Sequence, residues 1–120
     1  MQRHEKESTP AAREFAITRE RIRSVAYLTA HCWNVSRETI EAFPCEGEIE
    51  QTARMVAVAL ARDLLFPTLE RLALHFGGDA ESMAACCNRV AEKAEREAEF
   101  RNIVQFLESA CASVLGYDRG

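Results

Sequence analysis

The chain has no excess of positive charge and no long apolar run. Its 120 residues include 15 Lys and Arg against 19 Asp and Glu, which gives a formal net charge of −4. A dedicated nucleic-acid-binding domain usually carries a basic excess, so the overall charge argues against general binding to nucleic acid and leaves a local basic patch open. No apolar run approaches the roughly 18–20 residues of a membrane span. Residues 1–9 lack the apolar core of a signal peptide, so we expect a cytoplasmic protein.

The sequence also lacks the cysteine and histidine spacings of metal sites. No C-x-x-C pair occurs among the five cysteines, and the adjacent Cys86 and Cys87 would point about 100° apart on a helix. We therefore expect reduced, mostly buried thiols. A zinc site built from His31, Cys32 and a distant cysteine is the alternative. The histidines are scattered and no Ser/His/Asp arrangement is readable, which predicts no enzyme, no metal and no cofactor. His75 lies at the end of a predicted helix, where a cation suits the helix dipole, so a structural role is expected for it.

Helical periodicity, without any strand alternation, characterises most of the chain. Apolar residues recur at i, i+3 and i+4 spacing from Ile17 onward, whereas residues 1–14 are polar and have no apolar period. This pattern predicts a flexible tail over 1–14 and one helical domain over 15–120, an all-α bundle of five to six helices. Thr18 is the expected N-cap of the first helix, and Ser36 is the expected N-cap of the short helix that follows it. The expected helices lie near residues 17–34, 37–43, 48–65, 69–75, 80–94 and 98–115.

The helix over 48–65 is expected to lie at the centre of the bundle. Its middle, residues 55–61, is apolar nearly all round, which is typical of a helix buried on most faces. The last helix carries an apolar stripe that we expect to pack against it. The residues predicted to be mostly buried are Leu60, Leu64, Leu69, Leu72, Phe76, Phe100, Ile103 and Leu107.

A short helix, a glycine pair and a longer helix follow one another in the middle of the chain. Thr68 is the expected N-cap of the short helix over 69–75. Gly77 and Gly78 can take the positive φ values of a tight reversal, and Asp79 is the expected N-cap of the next helix. Two helices joined in this way form a helix-turn-helix, whose second helix commonly lies in the DNA major groove.

Several segments of the chain resemble one protein family when they are taken in order. They are Ile22-x-x-Val25-Ala26, Arg54-Met55-Val56-Ala57-Val58-Ala59-Leu60-Ala61-Arg62-Asp63-Leu64, Thr68-Leu69 and Phe76-Gly77-Gly78. This series is similar to the C-terminal domain of the bacterial replication initiator DnaA. There the central helix reads Arg-x-Met-Ala-Met-x-Leu-x-Lys/Arg-Glu/Asp-Leu, and a Ser/Thr-Leu helix ends in Phe-Gly-Gly. The resemblance covers roughly residues 17–110 and implies a Trp-repressor-like helix-turn-helix that binds double-stranded DNA. No phosphate loop of the DnaA ATPase module occurs in these 120 residues.

The residues that reach DNA in that family are replaced in this chain. After Phe-Gly-Gly the family reads Arg-Asp-His-Thr-Thr-Val, where this chain reads Asp79-Ala80-Glu81-Ser82-Met83-Ala84. In either register the His is lost and Glu81 lies on the recognition surface. The family's basic box precedes the central helix, where Glu46, Glu48 and Thr52 stand here and only Arg54 matches. Because phosphate contacts supply most non-specific affinity, weakened or altered DNA recognition is expected.

Two functions follow as hypotheses. The first is a stand-alone DNA-binding module in replication control or transcription, with Arg54 and Arg89 near the DNA backbone and Ser82 near the bases. The second is a module on the same fold that has exchanged DNA for a protein partner, for example DnaA or another replication component. The acidic residues before the central helix favour the second, and interleaved glutamates make an ordinary solvated face an alternative for the basic residues. The candidate DNA-contacting residues are Arg54, Thr68, Asp79, Ser82, Arg89 and Lys93.

Overall fold

Six α-helices and no strand make up residues 10–116, the part of the chain that the computed structural model describes. The predicted all-α architecture is therefore confirmed. The third and last helices have the predicted bounds, because their apolar periodicity and their end signals agree. In chain order the helices are α1 (Pro10–Cys32), α2 (Arg37–Glu41), α3 (Glu48–Leu65), α4 (Leu69–Phe76), α5 (Ala80–Arg96) and α6 (Ala98–Leu115).

Side-chain caps define the starts of the short helices. The Ser36 hydroxyl accepts a hydrogen bond from the backbone N–H of Thr39 at 3.1 Å, at the start of α2. The Thr68 hydroxyl accepts from the N–H of Arg71 at 3.1 Å, at the start of α4. Each cap satisfies one of the N–H groups that a helix start leaves without an intrahelical partner. The predicted N-caps of these two helices are confirmed.

The first helix begins earlier than predicted. It starts at Pro10, so residues 10–14 are helical and not part of a flexible tail; residues 1–9 of the predicted tail lie outside the described part. Proline suits the first helical position, and the alanines and charged residues that follow are strong helix formers. Thr18 is consequently inside α1 and is not its N-cap. Its hydroxyl donates to the carbonyl of Glu14 at 3.0 Å.

The central position of α3 is confirmed. All side chains over 56–61 are buried, and α3 packs chiefly against α1 and α5. The core around it draws on every other helix. Its larger members outside α3 are Ile22, Val25, Ile40, Leu72, Phe76, Met83, Val90, Phe100 and Leu107.

Of the eight predicted core residues, five are buried, two are half-buried and one is exposed. Leu60, Leu72, Phe76, Phe100 and Leu107 are 6% exposed or less. Leu64 and Leu69 are half-buried and pack against the core. The prediction for Ile103 is wrong, because 38% of this residue is exposed. It lies at the edge of the α6 face whose centre is formed by Phe100, Leu107 and Cys111, the residues that α6 buries.

The cysteines are free thiols, as expected, but only one of the five is buried. That one is Cys111; Cys32 is exposed and the other three are half-buried. Burial raises the pKa of the Cys111 thiol to about 11. Within residues 10–116 no three His, Cys, Asp or Glu side chains are grouped as a metal site would require. None of the helices described is both long and apolar enough to cross a membrane.

Candidate helix-turn-helix interface

The turn between α4 and α5 depends on two glycines. Gly77 and Gly78 have φ values of 84° and 89°, as predicted, and only glycine adopts such values without strain. The turn is also closely packed. A Cβ atom on Gly77 would lie 2.4 Å from the Cβ of Phe43, and one on Gly78 would lie 2.7 Å from the Oγ of Ser82. The angle at which α5 leaves α4 is therefore fixed by backbone conformation and by the loop that holds Phe43.

The N-terminus of α5 is closed by its own side chains. The carboxylate of Asp79 accepts from the N–H of Ser82 at 2.8 Å. The Ser82 hydroxyl accepts from the N–H of Asp79 at 3.1 Å and donates to the Asp79 carbonyl at 2.8 Å. The predicted Asp79 cap is confirmed as a reciprocal capping box. Both residues, expected near DNA, already form local hydrogen bonds, and the Asp79 carboxylate offsets the positive end of the helix dipole.

Arg54 lies inside the protein, where it joins separate backbone segments. The residue is 6% exposed. Its Nη1 donates to the carbonyls of Ile40 and Ala42, both at 3.0 Å, and its Nη2 donates to the carbonyl of Gly77 at 3.2 Å. Burial lowers the pKa of the guanidinium below its usual value. The structure therefore corrects the expectation of a DNA-backbone contact at Arg54, because the donors are directed inward to carbonyl oxygens.

Two aromatic rings complete the surroundings of this guanidinium. Its carbon lies 5.4 Å from the ring centroid of Phe43 and 5.8 Å from that of Phe76. Distances below about 6 Å give favourable cation–π contacts, which are stronger when the cation is removed from water. Arg54 thus ties the end of α2, the middle of the bundle and the turn before α5 into one unit. Through Gly77 it helps to position α5, and it does not lie on the outer face of that helix.

The outer face of α5 is fully exposed and mixed in charge. One line along it consists of Glu81, Ala85, Asn88 and Glu92, at spacings of three and four residues, and Arg89 lies beside this line. Asn88 was not predicted as a candidate, because the comparison with the family's recognition residues stops before it. Its exposure beside Arg89 is a result of how α5 packs on α3 and α4. The predicted candidate Arg89 is exposed on this side of α5.

The remaining candidates lie away from this face. The Nζ of Lys93 forms an ion pair with Glu97 at 3.1 Å and lies 5.2 Å from the ring centroid of Phe100, towards α6. Thr68 is exposed at the start of α4, but its hydroxyl serves as the cap of that helix. The polar groups of both side chains are thus already engaged within the protein.

A cleft of about 400 Å³ lies between α3, the loop before it and the first half of α5. It brings Ser82 and Arg89 together with the start of α3 and the loop before it. Its mouth includes Glu48, Gln51 and Thr52, and the exposed ring of Phe43 forms one wall. The region carries more acid than base, because Glu46, Glu48 and Glu81 are exposed against Arg89. Anions are consequently attracted only weakly to this face.

Near the end of α4 lies a triad of polar side chains that the sequence did not indicate. The Nε2 of His75, near the end of α4, lies 2.6 Å from Oε2 of Glu41, and Nη1 of Arg37 lies 2.5 Å from Oε1 of the same carboxylate. The side chains are 9%, 14% and 22% exposed in the order His75, Glu41, Arg37. A structural role for His75 was expected from the helix dipole. The contact with Glu41, 34 residues earlier in the chain, is a more specific one.

The chain matches no protein-family model, and no curated protein is similar to it. The resemblance to the DnaA domain therefore stays a prediction from the residues.

Proposed function

We propose that the protein is a helix-turn-helix module that binds double-stranded DNA with altered recognition and few backbone contacts. The observation that carries this proposal is the outer face of α5. It is exposed along its length, held at a fixed angle by the Gly77-Gly78 turn, and presents Asn88 next to Arg89. A recognition helix needs these same properties, because it enters the major groove with one face free of other protein contacts.

The exposed side chains have the chemistry of base recognition. Asparagine can pair with both the N6 and N7 positions of adenine, and arginine with O6 and N7 of guanine. Glu81 can accept from the amino group of cytosine, and Ala85 can contact a thymine methyl group. We expect Asn88 and Arg89 to carry most of the discrimination, since each good bidentate pair contributes about 1–3 kcal/mol. This set differs from the His and Thr residues of the DnaA family, so a different site is expected.

Affinity should be low because few cations are available to phosphates. Arg54 is used inside the fold, Lys93 is paired with Glu97, and the start of α3 is acidic. Each phosphate contact contributes about −0.9 to the slope of log K against log salt. A slope no steeper than about −3 and affinity for a DnaA-box duplex within the non-specific range of about 10⁻⁴–10⁻⁶ M are therefore expected at physiological salt.

Selection from a randomised duplex pool, followed by fluorescence anisotropy on the enriched duplex, tests the proposal. Arg89→Ala should weaken binding about 5- to 100-fold and relax the preference at one base pair. Arg96→Ala is the matched control, because Arg96 is an exposed arginine at the far end of the same helix. Equal losses for the two variants, or no enriched sequence at low salt, would contradict base recognition by α5.

A protein-interaction module on the same fold is the second candidate. The observation that favours it is the acidic cluster of Glu46, Glu48 and Glu50 at the start of α3, beside the cleft. The double variant Glu46→Arg, Glu48→Arg separates the two functions. If DNA binding is the function, this variant should tighten duplex binding and steepen the salt slope by up to about 0.9 per new contact. Absence of binding in both proteins at every salt concentration would favour a protein partner.

A further inference from the structure

The outward side of α6 carries an apolar stripe that other described residues leave uncovered. Ile103, Phe106 and Val114 are 38%, 68% and 61% exposed. Ala110 lies between them and is half-buried. Spacings of three and four residues place these four side chains along one line of the helix. We call this set (Ile103, Phe106, Ala110 and Val114) the α6 stripe. An exposed apolar line of this length is typical of a contact surface.

The surroundings of the α6 stripe are almost free of charge. Its exposed neighbours are uncharged polar residues, namely Asn102, Gln105, Ser109 and Ser113. Glu108 is the one charged residue over 102–116, and it lies two positions after Phe106, about 160° round the helix. The exposed side of α5, by contrast, alternates acids and bases. Depletion of charge around an exposed aromatic residue is characteristic of the centre of a protein–protein interface.

We propose that the α6 stripe is the contact surface between two copies of this chain, packed antiparallel about a twofold axis. In that arrangement the large side chains of one copy lie opposite the smaller side chains of the other. When the axis passes near residue 108, the ring of Phe106 faces the small Ala110 of the second copy, and Ile103 faces Val114. A twofold axis repeats both contacts, so large side chains fill the spaces over small ones on each side.

Charges at the ends of the stripe complement each other in the same register. Val114 borders a shallow hollow on α1 that includes Glu20, Arg23 and Tyr27. Tyr27 is 58% exposed and extends the apolar area, while Arg23 is exposed and forms no ion pair with another residue of the described part of the chain. Glu99 lies in the first turn of α6, at the end of the stripe opposite to Val114. Antiparallel packing brings the Glu99 carboxylate of one copy to the Arg23 end of the other. An exposed pair of this kind contributes more to register than to affinity.

Sedimentation equilibrium over about 1 µM to 1 mM tests whether the chain dimerises, a range that covers weak and moderate affinities. We expect a reversible monomer–dimer equilibrium. Phe106→Arg should raise the dimer dissociation constant by more than about tenfold. Each copy would then bring one charged side chain into the centre of the interface, where water is excluded. Leu74→Arg is the control, since Leu74 is 76% exposed on α4, outside the stripe. Unchanged circular dichroism and thermal unfolding should show that both variants are folded.

A charge exchange tests the register. Arg23→Glu and Glu99→Arg should each raise the dissociation constant about 2- to 20-fold, because each pair occurs twice in the dimer. The double variant should return it to within about twofold of the original value. A chain that stays monomeric over the whole range leaves the stripe to a different partner and overturns the proposal. The proposal is also overturned if the double variant has a dissociation constant as high as those of the single variants. It is overturned as well if Leu74→Arg raises the dissociation constant as much as Phe106→Arg does. No residue of the stripe belongs to the helix-turn-helix, so the outcome is independent of DNA binding.

Discussion

Replacing Arg54 by alanine distinguishes a structural arginine from one that contacts DNA. The substitution removes three hydrogen bonds, to the carbonyls of Ile40, Ala42 and Gly77. It also removes the cation from between the rings of Phe43 and Phe76. The end of α2, α3 and the turn before α5 then lose their common attachment. We expect a large loss of stability together with a loosened turn.

The size of the loss depends on whether water can replace the hydrogen bond that each carbonyl loses. The bond to Ile40 is buried, so its carbonyl loses its partner in a place where water does not replace it easily. An unsatisfied buried acceptor costs about 1–3 kcal/mol. The carbonyls of Ala42 and Gly77 are partly exposed and regain hydrogen bonds from solvent, so each should cost less. Removing the buried cation recovers some desolvation energy. The sum is a destabilisation of about 2–4 kcal/mol, or about 8–16 °C in Tm for a domain of this size.

Urea unfolding followed by circular dichroism measures this loss. Arg54→Lys should give an intermediate value, because one ammonium group does not reproduce the planar fork of donors. Arg89→Ala is the matched control; it removes an exposed arginine and should change stability by no more than about 0.5 kcal/mol. The reasoning is refuted if Arg54→Ala unfolds at the same urea concentration as Arg89→Ala. A selective loss of duplex binding in a fully stable Arg54→Ala protein would restore the DNA contact expected from the sequence.

Three further predictions concern the core, the turn and pH. Leu60→Ala should destabilise the protein by about 2–5 kcal/mol in urea, because Leu60 is 1% exposed and the cavity would not refill. Gly77→Ala should cost more than about 1 kcal/mol, since its Cβ would contact Phe43; Gly116→Ala, which meets nothing within 4 Å, should cost less. Burial raises the pKa of the Cys111 thiol to about 11 from the ordinary 9.0, so the unfolded chain loses that proton first. Stability should therefore fall as pH rises from about 9 to about 11, by up to about 1.4 kcal/mol per pH unit, and the fall should be smaller in Cys111→Ala.

Much of the fold was predictable because the signals that set it are local. The start and end of α3 and α6, and the caps at Ser36, Thr68 and Asp79, depend on residues within about four positions of each other. The glycine turn depends on the backbone freedom of Gly77 and Gly78 themselves. The boundary farthest from its predicted position, the start of α1 at Pro10, also has a local cause, because the polar composition of residues 10–14 is similar to that of a flexible segment.

Only the tertiary structure decided which of these side chains are available for binding. The guanidinium of Arg54 bonds to carbonyls 12, 14 and 23 residues away, and His75 meets a carboxylate 34 residues earlier. The periodicity of the sequence does not predict contacts between residues so far apart in the chain, because the partners come together only when α2, α3 and α4 pack. The same packing leaves Ile103 at an exposed edge and Asn88 on an open face. The sequence by itself determined the helices and the turn, whereas the surface that these helices present depends on how they are arranged around α3.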